Sequence, residues 1–349
     1  MSPGDAVSRL VVRPPNWLGD AVLALPALGA IRRAWPDAHL SVAAAPGLAP
    51  IFREISDVAP DALIELPKGT RDAAAALRQG RFDLGLLFPN SFRSAWQFWR
   101  AGIPARWGYA TAARGSLLTR RASLPPPASR RHQADYYGGL VRAFGIACDD
   151  APPRLAASAA SLERARALLV QQGAPLDRPL VGVAPGAAYG QAKQWPAARM
   201  AELCARLVRE HDAAILLVGA VHDRPVAREI ESWCRANAPA VLPRLIDLVG
   251  RTSLGTLVGI ASHTAAFVSN DSGAMHVAAA VGRPVIAIFG PTDERATGPL
   301  GDHDVIVEPV FCRPCLLRDC PIDHRCMKRI AVASVFQAVS ARLAVSEPR

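Results

Sequence analysis

The fold is decided by the stretch VSNDSGAMHVAAA at residues 268–280. A short apolar run, residues 265–268, predicts the end of a strand. Small polar residues and Gly273 then lead into helix-forming residues. The free N–H groups of a first helical turn suit an anion, particularly a phosphate, and His276 lies one turn into that helix. An ordinary strand-to-helix connection with an Asp cap explains the stretch equally well when it is taken alone.

The pattern around this stretch predicts an α/β protein with two domains. Apolar runs such as residues 84–88 and 180–184 alternate with helical patterns, which indicates parallel sheets with ligands at the carboxyl ends of the strands. The 349 residues exceed the roughly 250–300 at which a single core stops growing. Because residues 149–153 resemble a linker, we predict domains at 1–155 and 156–349. We expect residues 99–131 to form loops at the mouth of the first domain.

The net charge of +10 is concentrated in the first domain. Residues 93–142 carry nine arginines and a single acid, Asp135. Nucleic acid, an anionic membrane or a phosphorylated substrate would each satisfy this charge, and so would a solvated basic face. Residues 1–13 lack the apolar region of a signal peptide, and the chain lacks an uninterrupted apolar stretch of about 20 residues. We therefore expect a cytosolic protein or one attached to a membrane surface.

Two charged residues follow predicted strands. Lys193 lies in the loop at 185–196, where a flexible ammonium suits a diphosphate, although a surface lysine is the simpler interpretation. Asp20 begins a helix in the first domain, where it can be a helix cap, a general base or both. Neither a dinucleotide-binding glycine pattern nor a P-loop is present in the sequence, which disfavours oxidoreductases and P-loop ATPases.

A cysteine-rich loop at residues 312–326 contains four cysteines and His324. Its CRPC spacing at 312–315 suits a tetrahedral metal site, and reduced thiols are the alternative. The other three cysteines, Cys148, Cys204 and Cys234, are expected to be small core residues.

Several motifs, taken together, resemble the ADP-heptose:lipopolysaccharide heptosyltransferases, especially their type II branch. The matching segments span nearly the whole chain in the same order: NWLGD at 16–20, PNSFRS at 89–94, PGA at 185–187 with GQAKQWP at 190–196, and NDSGAMHVAAA at 270–280.

The resemblance implies a GT-B fold, in which two Rossmann-like domains face each other across a cleft, with the acceptor bound by the first and the nucleotide sugar by the second. It implies inverting transfer of heptose from ADP-L-glycero-D-manno-heptose to the first heptose of the Kdo-lipid A inner core. No metal or other cofactor is required for this catalysis. Asp20 would be the general base, and the donor would be bound by Lys193, Asp271, Ser272, Gly273 and His276.

The implied acceptor is a phosphorylated, Kdo-containing lipid at the inner face of the plasma membrane. Nucleic acid is then not a partner, and the protein is expected to be cytoplasmic and peripheral to that membrane. Acceptor contacts are expected from five residues of the first domain: Asn90, Ser91, Arg93, Arg120 and Arg121. The alternatives are a heptosyltransferase acting at another core position and a non-catalytic, two-domain nucleotide-sugar-binding protein.

Overall fold

A computed structural model describes residues 7–125 and 132–346. The chain divides into two compact units, Met1–Arg154 and Leu155–Arg349. Each unit contains one six-stranded sheet in which all paired strands are parallel. The predicted α/β class with two parallel sheets is therefore confirmed.

In the first unit, the sheet has the strand order β3-β2-β1-β4-β5-β6. Its strands are β1 (Arg9–Arg13), β2 (His39–Ala44), β3 (Ala62–Glu65), β4 (Leu84–Leu87), β5 (Ala105–Tyr109) and β6 (Arg120–Ala122). Its helices are α1 (Leu18–Leu23), α2 (Leu25–Ala34), α3 (Thr70–Gln79), α4 (Phe92–Arg100) and α5 (Gln133–Arg142). Strands β2 and β3 extend the sheet on one side of β1, and β4 starts its other side. The direction of strand addition thus reverses between β1 and β4.

Helices α1 and α2 are separated at Ala24, because Pro26 lacks the N–H that a continuous helix would use. One expectation for the first unit is wrong. The stretch 99–131, expected to form loops, contributes β5 and β6 to the sheet. Arginines obscured the apolar pattern of β5, whose Trp107 and Tyr109 are buried. Arg130 and Arg131 lie outside the described residues.

In the second unit, the strand order is β12-β11-β10-β7-β8-β9. Its strands are β7 (Leu180–Ala184), β8 (Ala214–Leu217), β9 (Leu245–Asp247), β10 (Ala266–Asn270), β11 (Val285–Phe289) and β12 (His303–Val307). Its helices are α6 (Ala159–Gln171), α7 (Ala197–His211), α8 (Arg224–Asn237), α9 (Leu254–His263), α10 (Gly273–Ala280), α11 (Glu294–Thr297), α12 (Arg325–Lys328) and α13 (Val332–Ser346). Here the direction of strand addition reverses between β7 and β10.

The core of the second unit packs α7, α8 and α13 against the central strands. Cys204 and Cys234 are buried there, as predicted. Cys148 is only half-buried, because it lies in the extended segment after α5 and not in a core element. Within 7–125 and 132–346, no helix is both long enough and apolar enough to cross a bilayer.

Candidate functional site

A buried asparagine joins the two strand-end loops at the reversal in the second sheet. Asn270, at the end of β10, is fully buried. Its Oδ1 accepts a hydrogen bond from the Trp195 backbone N–H at 3.1 Å, and its Nδ2 donates to the Pro185 carbonyl at 2.7 Å. Buried amides are costly unless they are hydrogen-bonded, so these bonds fix the 185–196 loop against the end of β10.

The loop held in this way presents Lys193 to Asp271. The Lys193 ammonium lies 2.5 Å from the Asp271 carboxylate, and their side chains are 12% and 6% exposed. Thr292 donates a second hydrogen bond to the same carboxylate oxygen at 2.7 Å. An ammonium has three N–H donors, so Lys193 can bind an anion without leaving Asp271.

The first turn of α10 begins directly after this pair. Ser272 precedes the helix, and its hydroxyl lies 3.0 Å from that of Ser269. Among the described residues, no side-chain capping bond from Ser272 to the first turn occurs. His276 is buried one turn into the helix. The structure therefore brings together Lys193, Asp271, Ser272 and Gly273, four of the five predicted donor residues, around one helix N-terminus that suits a phosphate.

The 185–196 loop needs glycine where another loop approaches it. A Cβ at Gly186 would lie 2.0 Å from the Asp223 carboxylate, which accepts a hydrogen bond from the Ala220 N–H at 2.9 Å.

The Lys193 ammonium also lies 4.9 Å from the centre of the Tyr189 ring. The lysine is thus held by a carboxylate and an aromatic ring.

In the first unit, Asp20 lies in the first turn of α1 and interacts with a buried tyrosine. The Tyr137 hydroxyl hydrogen-bonds to the Asp20 side chain and accepts from the Gln133 amide at 3.0 Å. Burial, followed by the charge of Asp20, raises the pKa of Tyr137 well above its usual value. Tyr137 therefore stays protonated and donates to the carboxylate.

Asn90 and Ser91 follow β4, on the other side of the same reversal. The Asn90 amide donates to the Tyr136 hydroxyl at 2.6 Å. Ser91 caps α4 by accepting from the Ser94 N–H at 3.2 Å. Both side chains thus have structural partners, and their predicted contacts with an acceptor remain predictions.

The described arginines of residues 93–142 fall into two groups, those bonded within the first unit and those that are exposed. Arg114 is completely buried, donates to the Tyr109 and Pro89 carbonyls, and has its pKa lowered to about 10 by burial. Arg106 likewise donates to the Leu117 carbonyl at 2.6 Å. These two arginines bond backbone carbonyls within the first unit. The expectation that all the arginines of residues 93–142 serve an anionic partner is therefore too broad.

The three arginines predicted to bind the acceptor differ in exposure. Arg93 and Arg121 are exposed. Arg120 is half-buried, with its guanidinium 4.8 Å from the centre of the Trp107 ring. The exposed pair is available to a partner, whereas Arg120 is stacked within the unit.

Sequence reasoning missed three polar residues that organise these sites. It assigned no role to Asn270, although a polar residue at the end of a buried strand is a recognisable signal. It also missed Thr292 and Tyr137, whose partners are distant in sequence. Only the tertiary fold identifies those two.

Comparison with known proteins identifies the family. The pattern of glycosyltransferase family 9 (heptosyltransferase) matches residues 71–325. Lipooligosaccharide heptosyltransferase 2 of Haemophilus influenzae is 30% identical over 86% of this chain and 88% of its own. Lipopolysaccharide heptosyltransferase 2 of Escherichia coli K12 is 30% identical over 84% and 85%, respectively.

A solved structure agrees with this identification. The E. coli ADP-heptose lps heptosyltransferase II is 28% identical, with a TM-score of 0.82 over 97% of this chain and 100% of that one. The E. coli heptosyltransferase WaaC with ADP, at 19% identity and a TM-score of 0.68, shows the same fold.

We predict that the Lys193–Asp271 pair stabilises the ligand-free protein. Lys193→Met leaves the buried Asp271 carboxylate without its cation, which should lower the free energy of unfolding by about 3 kcal/mol. Asp271→Asn should also destabilise, and the double variant should lose less than the sum of the two. Urea unfolding of the unchanged protein and the three variants, without nucleotide, measures this double-mutant cycle. Arg235→Met, in an exposed pair with Glu231, is the matched control, and an equal effect there would refute the prediction.

Proposed function

This chain belongs to glycosyltransferase family 9, and we propose that this glycosyltransferase transfers heptose from ADP-L-glycero-D-manno-heptose to the first heptose of the Kdo-lipid A inner core. Its relatives are named heptosyltransferase 2, which supports transfer of the second heptose in lipopolysaccharide synthesis. The name of the structurally similar E. coli enzyme, ADP-heptose lps heptosyltransferase II, supports ADP-heptose as the donor.

The observation that carries the donor assignment is the Lys193–Asp271 pair beside the start of α10. In our proposal, Lys193 and the backbone N–H groups at Ser272 and Gly273 bind the ADP diphosphate. Asp271 holds the ammonium in place, and His276 borders the donor. These groups stabilise the negative charge that builds on ADP as it leaves, so they assist the transition state more than the ground state.

The proposed general base is Asp20. Its carboxylate would remove the proton from the acceptor hydroxyl as that oxygen attacks the anomeric carbon of the donor. This single displacement inverts the configuration at the anomeric carbon, and in our proposal it needs no metal ion. Tyr137 orients the carboxylate and favours its ionised form through the hydrogen bond that it donates.

The proposed acceptor surface combines charge with exposed apolar groups. Arg93 and Arg121 are exposed, and so are Phe92, Trp99 and Leu124. Such a mixture suits a phosphorylated lipid in an anionic membrane, because the arginines can bind phosphates while the rings contact the interface. In our proposal the enzyme is cytoplasmic and peripheral to the inner face of the plasma membrane, and Asn90, Ser91 and Arg120 also contact the acceptor.

Two variants should separate the proposed roles. Asp20→Asn should lower turnover by about 10²–10⁴-fold while ADP binding is retained, because only proton removal is lost. Lys193→Met should weaken ADP binding. The assay is mass-resolved transfer from ADP-heptose to a monoheptosylated Kdo-lipid acceptor, with ADP affinity measured by calorimetry. Near-normal turnover by Asp20→Asn would refute the base assignment, and transfer only to other core acceptors would refute the acceptor assignment.

Tyr137→Phe should change the pH dependence of transfer. Without the donated hydrogen bond, the ionised Asp20 carboxylate loses stabilisation and its pKa rises. The acidic limb of the kcat/KM profile should therefore move to higher pH, with ADP affinity unchanged. The reverse shift, or an unshifted profile, would contradict the proposed orientation of Asp20. Tyr189→Phe, which keeps its ring beside Lys193, is the control.

Vesicle binding should depend on Arg93 and Arg121. Replacing both with Gln should weaken binding to anionic vesicles containing the acceptor lipid, and added salt should weaken binding of the unchanged protein. Co-sedimentation measures both effects. Arg209→Gln, at an exposed position of the second unit, should bind like the unchanged protein. Salt-independent binding would contradict the electrostatic mechanism.

A further inference from the structure

The segment from Glu308 to His324 has little apolar packing to hold it in place, and its Arg313 donates to the Gly290 and Thr292 carbonyls. It joins β12 to α12, and its residues, all of them described, form neither helix nor strand. Irregular segments of this length are uncommon in compact domains and are usually functional. Its large apolar side chains are exposed: Phe311, Leu316, Leu317 and Ile322. Apolar burial therefore contributes little to its conformation.

Four cysteines lie in or directly after this segment. Cys326 is buried in α12 and packs against Gly290, where an added Cβ would lie 3.3 Å from its sulfur. Cys312 is half-buried, Cys315 and Cys320 are exposed, and all four are free thiols. The Cys320 sulfur accepts a hydrogen bond from the His324 N–H at 3.2 Å.

Cys312, Cys320 and Cys315 lie close enough to Cys326 to act on it electrostatically. Burial raises the pKa of the Cys326 thiol, and the charges of these three cysteines raise it further.

The same segment contacts the loop that carries Lys193. The Ala192 N–H donates to the Arg318 carbonyl at 3.0 Å, and the Ala192 carbonyl lies 2.6 Å from His324 Nε2. Tyr189 donates to the Leu316 carbonyl at 3.2 Å. Gly190 permits this approach, because a Cβ there would lie 2.4 Å from the Arg318 carbonyl oxygen. The conformation of the segment thus bears directly on the position of Lys193.

We propose that the segment binds one thiophilic divalent ion, Zn²⁺ or Fe²⁺, through the four thiolates of Cys312, Cys315, Cys320 and Cys326. The Cys-x-x-Cys spacing at 312–315 suits two ligands of a tetrahedral site, and soft thiolate ligands select these ions. Each thiol that binds as thiolate releases one proton to solvent.

Within the described ranges, no three potential ligands are already arranged around a metal position. Cys312, Cys315 and Cys320 are on the irregular segment, and metal binding would require them to move toward the buried Cys326. Four protein ligands complete a tetrahedron, so the ion is structural and leaves no position for substrate.

A bound ion would fix the segment and, through Ala192 and Tyr189, the Lys193 loop. This second consequence rests on the proposed donor site, whereas ion binding itself does not. The two are therefore measured separately.

The test begins with elemental analysis of the full chain purified anaerobically under reducing conditions. We expect about one Zn or Fe per chain. Protein stripped by a chelator should bind added Zn²⁺ or Fe²⁺, in separate arms, with protection of four thiols from alkylation. Cys315→Ser with Cys320→Ser should abolish both signals. Cys148→Ser, at a half-buried cysteine in the first unit, should retain them.

Substoichiometric metal together with unprotected thiols after both reconstitutions would overturn the site, and so would disulfides among these cysteines in the fresh protein. Because these readouts use the unchanged chain, a variant that fails to fold leaves the test intact.

Removal of the ion should weaken ADP binding several-fold. If the ion binds but its removal leaves ADP affinity unchanged, the link to Lys193 fails. If the ion-loaded protein does not bind ADP at all, the proposed donor site fails while the metal site stands.

Discussion

The reversal of strand order within each sheet is the constraint on which both candidate sites depend. At β1–β4 and at β7–β10, the chain continues away from the strand pair in opposite directions, so the loops after the two strands leave a crevice at their carboxyl ends. Asp20 and Asn90 follow the first pair, and Lys193 and Asp271 follow the second. The loops after the two strands of each pair start from the same edge of the sheet, because these strands are parallel and adjacent.

At each reversal an asparagine follows one of the two strands, and the two asparagines have different hydrogen-bond partners. Asn270 bonds backbone groups of the facing loop, so its cross-link is insensitive to the side chains of that loop. Asn90 bonds the side chains of Tyr136 and Arg114, and Arg114 in turn donates to backbone carbonyls. Asn90 is therefore anchored by side chains, and Asn270 by backbone groups. Substitutions near Asn90 should be transmitted further than substitutions near Asn270.

The sequence was sufficient to predict the parallel sheets and the strand-end positions of Asp20, Lys193 and Asp271, because those predictions depend on local periodicity. It placed Lys193 and Asp271 in the same donor site, but it could not predict their direct ion pair, since 78 positions separate them. It also treated Arg114 as a surface charge, although the side chain is completely buried. A guanidinium that bonds mainly carbonyls leaves no local signal, because its partners are backbone atoms that every residue possesses. The strands β5 and β6 were missed for a related reason, as their arginines suggested solvent.

If Lys193 binds the ADP diphosphate as proposed, its pair with Asp271 has a consequence for the end of the catalytic cycle. A lysine whose only counter-ion was the leaving nucleotide would become an uncompensated, largely buried cation each time ADP departed, and that cost would slow release. In the proposed site Asp271 would stay beside the ammonium, so departure of the nucleotide would leave Lys193 with an anionic partner already in place. We expect the pair to limit how tightly the product can be retained, which favours turnover over affinity in an enzyme whose product resembles its donor.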